Sequence, residues 1–240
     1  EAGMGFAFLG VVVGYIPTIY SAFSRREIEI SLLDARAGSP PTAAELLIRF
    51  ARSPHQEALD RIFRDWERWA AEVLESHISY PVLSFFRSQH NNQSWLGGLT
   101  AILDATSLVI AGVGDLRMEQ AKITFAAARH AVVDLAQVVV ARYNPDAPDR
   151  LPSRDLLRLQ QALAEKGLQL GSSEEAAAKL KHLRFLYEPY AEAIGRNLAI
   201  DLPPWIHSDA HRDNWQAGPW DRLVQARSLG ERTLAMDDHF

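Results

Sequence analysis

The sequence predicts an all-α protein in which one N-terminal transmembrane helix is followed by a soluble multi-helix bundle. Three observations carry this expectation. An apolar stretch of membrane-spanning length opens the chain. Apolar residues then recur at helical spacing through several long segments. Gly, Pro and Ser/Thr signals punctuate the boundaries between them.

The opening stretch comes first. No Asp, Glu, Lys, Arg or His lies between Ala2 and Ser24, and residues 4–23 match the length of helix that crosses a hydrocarbon core. Phe6, Phe8, Leu9, Val11, Val12, Val13, Ile16, Ile19 and Phe23 favour insertion by about 3–5 kcal/mol together, before the costs of Gly, Pro and hydroxyl residues. Arg25 and Arg26 follow at once. They fit the membrane-interface position and put that end in the cytoplasm by the positive-inside rule; near anionic headgroups each contributes on the order of 1 kcal/mol. A secretory signal would carry its charges before the apolar run, not after it. Within the run, Gly10 and Gly14 form a G-x-x-x-G pair that allows another backbone to come close. Pro17 removes an amide donor and is expected to bend the helix.

Residues 27–33 alternate polar and apolar side chains, a strand-like period with a helical continuation as the alternative. Residues 35–41 read as a linker, broken by Gly38 and Pro40-Pro41. Thr42-x-x-Glu45 is a capping-box pattern, and Ser53-Pro54 with Gln56 marks a further start. From 57 to 75, Leu59, Ile62, Phe63, Trp66, Ala70, Val73 and Leu74 share one helical face. Pro81 breaks or kinks the chain beyond that helix. Segments 94–112 and 119–143 are more uniformly apolar and predict central, buried helices; Asp104 in one and Arg129, His130 and Asp134 in the other argue against further membrane spans. Ser153 with Asp155 opens a helix that ends at Gly167. Ser173 caps a last long helix, with Leu180, Leu183, Tyr187, Tyr190, Ile194 and Leu198 as its stripe and Pro189 as its divider. A polar tail with Trp205, Trp215 and Trp220 closes the chain as mixed coil and a short helix. The expected organisation is a transmembrane helix at 1–26, a linker at 27–41, a cytoplasmic helical domain at 42–200 and a tail at 201–240.

Composition narrows the function classes. The 240 residues suffice for one or two domains. The chain begins with Glu1 and reads as a piece of a longer polypeptide. A net charge of -5 gives no general attraction to nucleic acid. The absence of cysteine excludes disulfides, thiolate metal sites and cysteine nucleophiles.

Two strings, GYIPTIYSAFSRRE (14–27) and SLLDARAGSPP (31–41), resemble the end of the inner pore helix and the following linker of bacterial two-transmembrane, potassium-channel-like proteins. ESHISYPVLSFFRSQHNNQSWL (75–96) and LTAILDATSLVIAGV (99–113) look like the C-terminal region of the same group. The resemblance implies a bacterial cell-membrane location, a homotetramer, and potassium as the ion passed. It makes Gly10, Gly14 and Pro17 the packing and hinge positions of a pore helix. The filter and pore helix of such channels precede the inner helix, so the Gly112-Val113-Gly114-Asp115 string, which looks like a filter end, reads as an interhelical turn.

Catalytic chemistry finds little footing. His130 and Asp134, at i,i+4, share a helix face and are able to ligate one metal; His77, His90 and Asp104 join them only if the fold permits. The bland alternative is a His–Asp or Arg129 polar pair in a helical core. His207, Asp209, His211 and Asn214 fit an H-x-D-x-H-x-x-N string similar to the catalytic loop of aminoglycoside-phosphotransferase-like kinases, but the Gly-rich loop and strand lysine of phosphoryl transfer are missing. The expectation is therefore a channel part that is not an enzyme and needs no cofactor, with the lipid bilayer and copies of itself as partners. A membrane-anchored interaction module without a pore is the alternative, and a metal-dependent hydrolase using His130 and Asp134 is the third.

Overall fold

A computed structural model describes residues 2–51, 57–90, 92–114, 116–171, 174–207 and 220, with the side chains of 2–9, 11 and 51 outside the described set. Glu1–His207 form one compact unit; of a second, Ser208–Phe240, only the exposed Trp220 is described.

Among the described residues the chain is all-helical: α1 (Ala2–Ala37), α2 (Ala43–Ala51), α3 (Glu57–Ser79), a 3-10 turn (Pro81–Phe85), α4 (Trp95–Ala111), α5 (Glu119–Val138), α6 (Ser153–Ala164), α7 (Glu174–Phe185) and α8 (Glu188–Leu198). The one β feature among them is a single bridge between Val113 and Leu170.

α1 is one helix of 36 residues that passes through Pro17 without a break. The helical continuation of 27–33 is the one that forms, so the linker expected at 27–41 shrinks to the turn after Ala37. The reason is burial. Ile19, Phe23, Arg26, Ile30, Leu33 and Ala37 are all buried, and their alternating spacing of four and three is a heptad seam. It lies against the bundle, which holds the segment helical despite its alternating pattern. The N-terminal half differs: Val13, Tyr15, Ile16 and Tyr20 are 64%, 45%, 58% and 67% exposed. Among the described residues no helix is long and apolar enough to cross a membrane. The side chains of residues 4–9 and Val11, about a third of the 4–23 run, lie outside those residues.

Gly38, at φ 82, reverses the chain into α2. Only half of the expected capping box forms: Glu45 N–H donates to Thr42 Oγ1 at 3.2 Å, while the Glu45 carboxylate turns to Arg49 at 2.7 Å. α4 is the centre of the bundle, buried along all 17 residues. Ser94 caps its start by accepting from Gly97 N–H at 2.9 Å, and Gly112 ends it in the left-handed region. Gly98 lets α3 come close; a Cβ there would meet the Trp66 ring at 2.7 Å. The filter-like string beginning at Gly112 is an interhelical turn, with φ of 99 at Gly112 and 60 at Gly114; Asp115 lies outside the described residues.

α5 corrects the expectation of a uniformly buried helix. It buries one face, including Phe125, Ala128 and Leu135, leaves Ile123 53% exposed, and ends at Val138 rather than at Tyr143. The last helix is divided, as Pro189 predicts, into α7 and α8, with Pro189 in the first turn of α8. Tyr190, placed in the stripe, is 38% exposed. Within 201–207, Pro203 and Trp205 are buried against the bundle: Trp205 is 1% exposed and its carbonyl accepts from Ala44 N–H at 3.1 Å. The starts expected at Ser53 and Ser173 lie outside the described residues.

Candidate functional site

Two arginines, Arg26 buried and Arg150 with its side chain 10% exposed, organise the polar interior. The first is Arg26, on the heptad seam of α1. It is 3% exposed, so its long side chain cannot seek water and must find acceptors inside. Nε donates to Glu27 Oε1 at 3.0 Å. Nη1 donates to the Leu83 carbonyl at 2.9 Å and Nη2 to the Phe86 carbonyl at 2.7 Å. Those two carbonyls belong to the 3-10 turn and the residue after it, so the guanidinium of α1 closes the turn's open C-terminal end.

The remaining partner of Nη1 is His77 Nε2 at 3.2 Å. An arginine has only donors, so this nitrogen must accept; His77 Nδ1 then carries the proton and donates to the Val73 carbonyl at 2.7 Å. Burial, with the Arg26 charge beside it, pushes His77 down to about 4. A neutral imidazole is therefore built into the joint. Trp69 Nε1–H donates to the Arg26 carbonyl at 3.1 Å, and Trp95 Nε1–H to the Ser84 carbonyl at 3.3 Å. Ile19, Phe23 and Leu83 form a small apolar cluster of their own beside this joint, apart from the main core. A cleft of about 340 Å³ opens alongside, lined in part by Thr18, Arg25, Glu72 and Tyr80.

The second arginine is Arg150, from the loop before α6. Its Nη1 and Nη2 grip Asp104 of α4 at 3.2 and 2.7 Å. Nη1 also reaches Glu188 at 3.1 Å and Nη2 the Pro203 carbonyl at 2.8 Å. Tyr187 donates its hydroxyl to Asp104 at 2.5 Å. Arg184 pairs with Glu188 and with Asp149, and both guanidiniums lie over the Trp205 ring, at 5.8 and 5.6 Å. Burial alone would lower the Arg150 pKa, but the Asp104 carboxylate outweighs it and holds the group above its ordinary value. Burial and Asp104 also push Tyr187 well up. Burial raises Glu188 against the pull of Arg150 and Arg184. This cluster ties α4, the 149–150 loop, α7, α8 and the 203–205 segment into one lock.

The predicted site residues fare unequally. Gly10 and Gly14 are exposed, and a Cβ at either would meet nothing within 4 Å. Pro17 is exposed too, and Thr18 Oγ1 donates to the Gly14 carbonyl beside it at 3.0 Å. Arg25 is exposed on the cleft wall, as an interfacial residue is able to be. Arg26, expected at the interface, is buried, and its guanidinium is spent on carbonyls of its own chain. The Arg-Arg pair gave no hint of this, whereas the position of Arg26 between Phe23 and Ile30 on the seam did.

The metal candidates do not converge. His130 Nε2 and Asp134 stand 3.5 Å apart on the surface of α5, with His130 70% exposed. His77 belongs to the Arg26 joint and Asp104 to the Arg150 lock. Among the described residues no three His, Cys, Asp or Glu side chains group as a metal site. Of the kinase-like string only His207 is described, its carbonyl accepting from Arg158; the rest lies outside the described residues.

Comparison of the chain with models of protein families, with curated proteins and with solved structures finds no match in any of the three.

Proposed function

We propose that this chain is the C-terminal part of a potassium-channel-like membrane protein, in which α1 lines or supports a pore and the bundle assembles or regulates it. The observation that carries the proposal is continuity: the helix that begins in the uncharged run continues without a break into the bundle and is clamped there by Arg26. A movement of the bundle is then a movement of the helix. The open Gly10–Gly14 face supports it further, because it leaves room for a neighbouring helix. On this reading the protein is a homotetramer in the bacterial cell membrane, the bundle is cytoplasmic, potassium is the ion passed, and no cofactor or catalytic step is needed.

The test is potassium flux into vesicles reconstituted with the full-length polypeptide. Flux with tetrameric protein is the expected result. Absence of flux from folded protein assigns the chain to the alternative, a membrane-anchored interaction module. The span itself is checked by labelling Ala7→Cys and Ser24→Cys in intact membranes: Ala7→Cys is expected to resist aqueous reagents, and free labelling of both removes the span.

A further inference from the structure

The 3-10 turn is inside out for a protein surface in water. Ser84 is buried at 1%, while Val82 and Phe85 are 40% and 63% exposed. Phe86 and Ile78 on either side add 38% and 49%. A turn facing water keeps its serine outside and its phenylalanine inside.

The position of the turn identifies the medium that covers it. Tyr80 packs its ring on Tyr15 with centroids 5.4 Å apart, Leu83 seats among Ile19 and Phe23, and Phe86 packs on Phe23 at 5.9 Å. These partners lie within the stretch of α1 that carries no charged residue. At about 1.5 Å rise per residue, the stretch from Tyr15 to Phe23 is about 12 Å long. The turn therefore sits beside the last two turns of the proposed span, not below it. Tyr20, near the end of the uncharged run and 67% exposed, supplies an amphipathic ring of the kind found at headgroup level, and Arg25 lies close beyond it along α1 with the charge that anionic headgroups attract.

We infer that residues 78–86 form a second membrane-contact element, a collar around the root of α1 whose Val82, Phe85 and Phe86 side chains enter the boundary between headgroups and acyl chains of the lipid bilayer. This rests on the span reading and adds to it. Interfacial elements of this kind insert to a depth of about 5–10 Å, which matches a turn lying beside the final residues of an uncharged helix. The collar then meets the lipid while its carbonyls are held by Arg26, so the joint sits just beneath the membrane surface.

The chain has no cysteine, which makes single spin labels unambiguous. Labels at Val82→Cys and Phe85→Cys, on side chains already exposed, leave the core untouched. Val13→Cys reports on the span and Leu157→Cys, 59% exposed on α6, on water. The full chain goes into vesicles of phosphatidylcholine and phosphatidylglycerol, and collision rates with oxygen and with a water-soluble nickel complex are compared. Labels at 82 and 85 are expected to favour oxygen several-fold over the label at 157, with the label at 13 deeper still. Labels at 82 and 85 as nickel-accessible as the one at 157 overturn the collar; if the label at 13 remains in lipid, the span survives that result. A nickel-accessible label at 13 instead overturns the span, and lipid contact at 82 and 85 would then support the collar as a peripheral attachment.

Discussion

Arg26 and Arg150 both hold their guanidiniums largely out of water among helices, yet they are built in opposite ways. Arg150 is matched by formal charge: two carboxylates face it, and one of them also accepts from Tyr187. Arg26 has one carboxylate, its sequence neighbour, and otherwise meets neutral acceptors, two carbonyls and an imidazole. Burial accordingly lowers the pKa of Arg26, whereas Asp104 raises that of Arg150. A charge-matched cluster fixes helices in one arrangement. An arginine gripping carbonyls fastens one piece of backbone to another and releases it at smaller cost. The lock keeps the bundle intact, and the joint connects it to α1.

The comparison is broken most severely by Arg150→Ala. It leaves Asp104, with a fully buried side chain, without its cation, and a loss of about 3–5 kcal/mol is expected in urea unfolding. Arg150→Lys should recover little, because an ammonium cannot fork across a carboxylate.

Acid tests the joint next. His77 is held neutral in the folded chain, at about 4 against an ordinary 6.5. Unfolding therefore takes up a proton between these values. The contribution of His77 is complete above pH 6.5, falls as pH drops toward 4, and is flat below, a total of about 3 kcal/mol. The His77→Gln variant should lose this part of the slope between pH 6.5 and 4 by chemical denaturation. An unaltered slope would mean that the imidazole is not held neutral.

Arg26→Ala has the smallest effect on global stability, about 1.5–3 kcal/mol for lost charged hydrogen bonds to the Leu83 and Phe86 carbonyls, His77 and Glu27. Its effect should be local. Hydrogen exchange at the amides of Leu83 and Phe86, which bond to Tyr80 and Leu83 carbonyls, should speed up far more than in α4. Uniform acceleration would show that the joint and the lock are one unit.

Much of the helical plan was legible in the sequence, and the reasons are particular. The face of α3 was plain because its apolar residues repeat at 3.6 spacing. The course of residues 27–33 was not, because an alternating pattern over one or two turns fits either structure until Ile30 and Leu33 meet the bundle. α5 was overestimated because its alanines look apolar on every side while only one face is covered. The burial of Arg26 was not legible from its charge, because adjacent arginines after an apolar run favour an exposed position and nothing in that pair marks the seam. The Arg150–Asp104 pair had no local signal at all, since its members lie 46 residues apart.

The central claim is that the Arg26 joint passes motion between the bundle and α1. Single-channel recording of the full-length protein in a planar bilayer tests it most directly, comparing wild type with Arg26→Gln and, as probes of the helix itself, Gly14→Ala and Pro17→Ala. The account predicts an altered open probability in all three with unchanged ion preference, because in channels of the proposed kind preference belongs to the selectivity filter and not to the inner helix. Wild-type open probability in folded Arg26→Gln channels would contradict it.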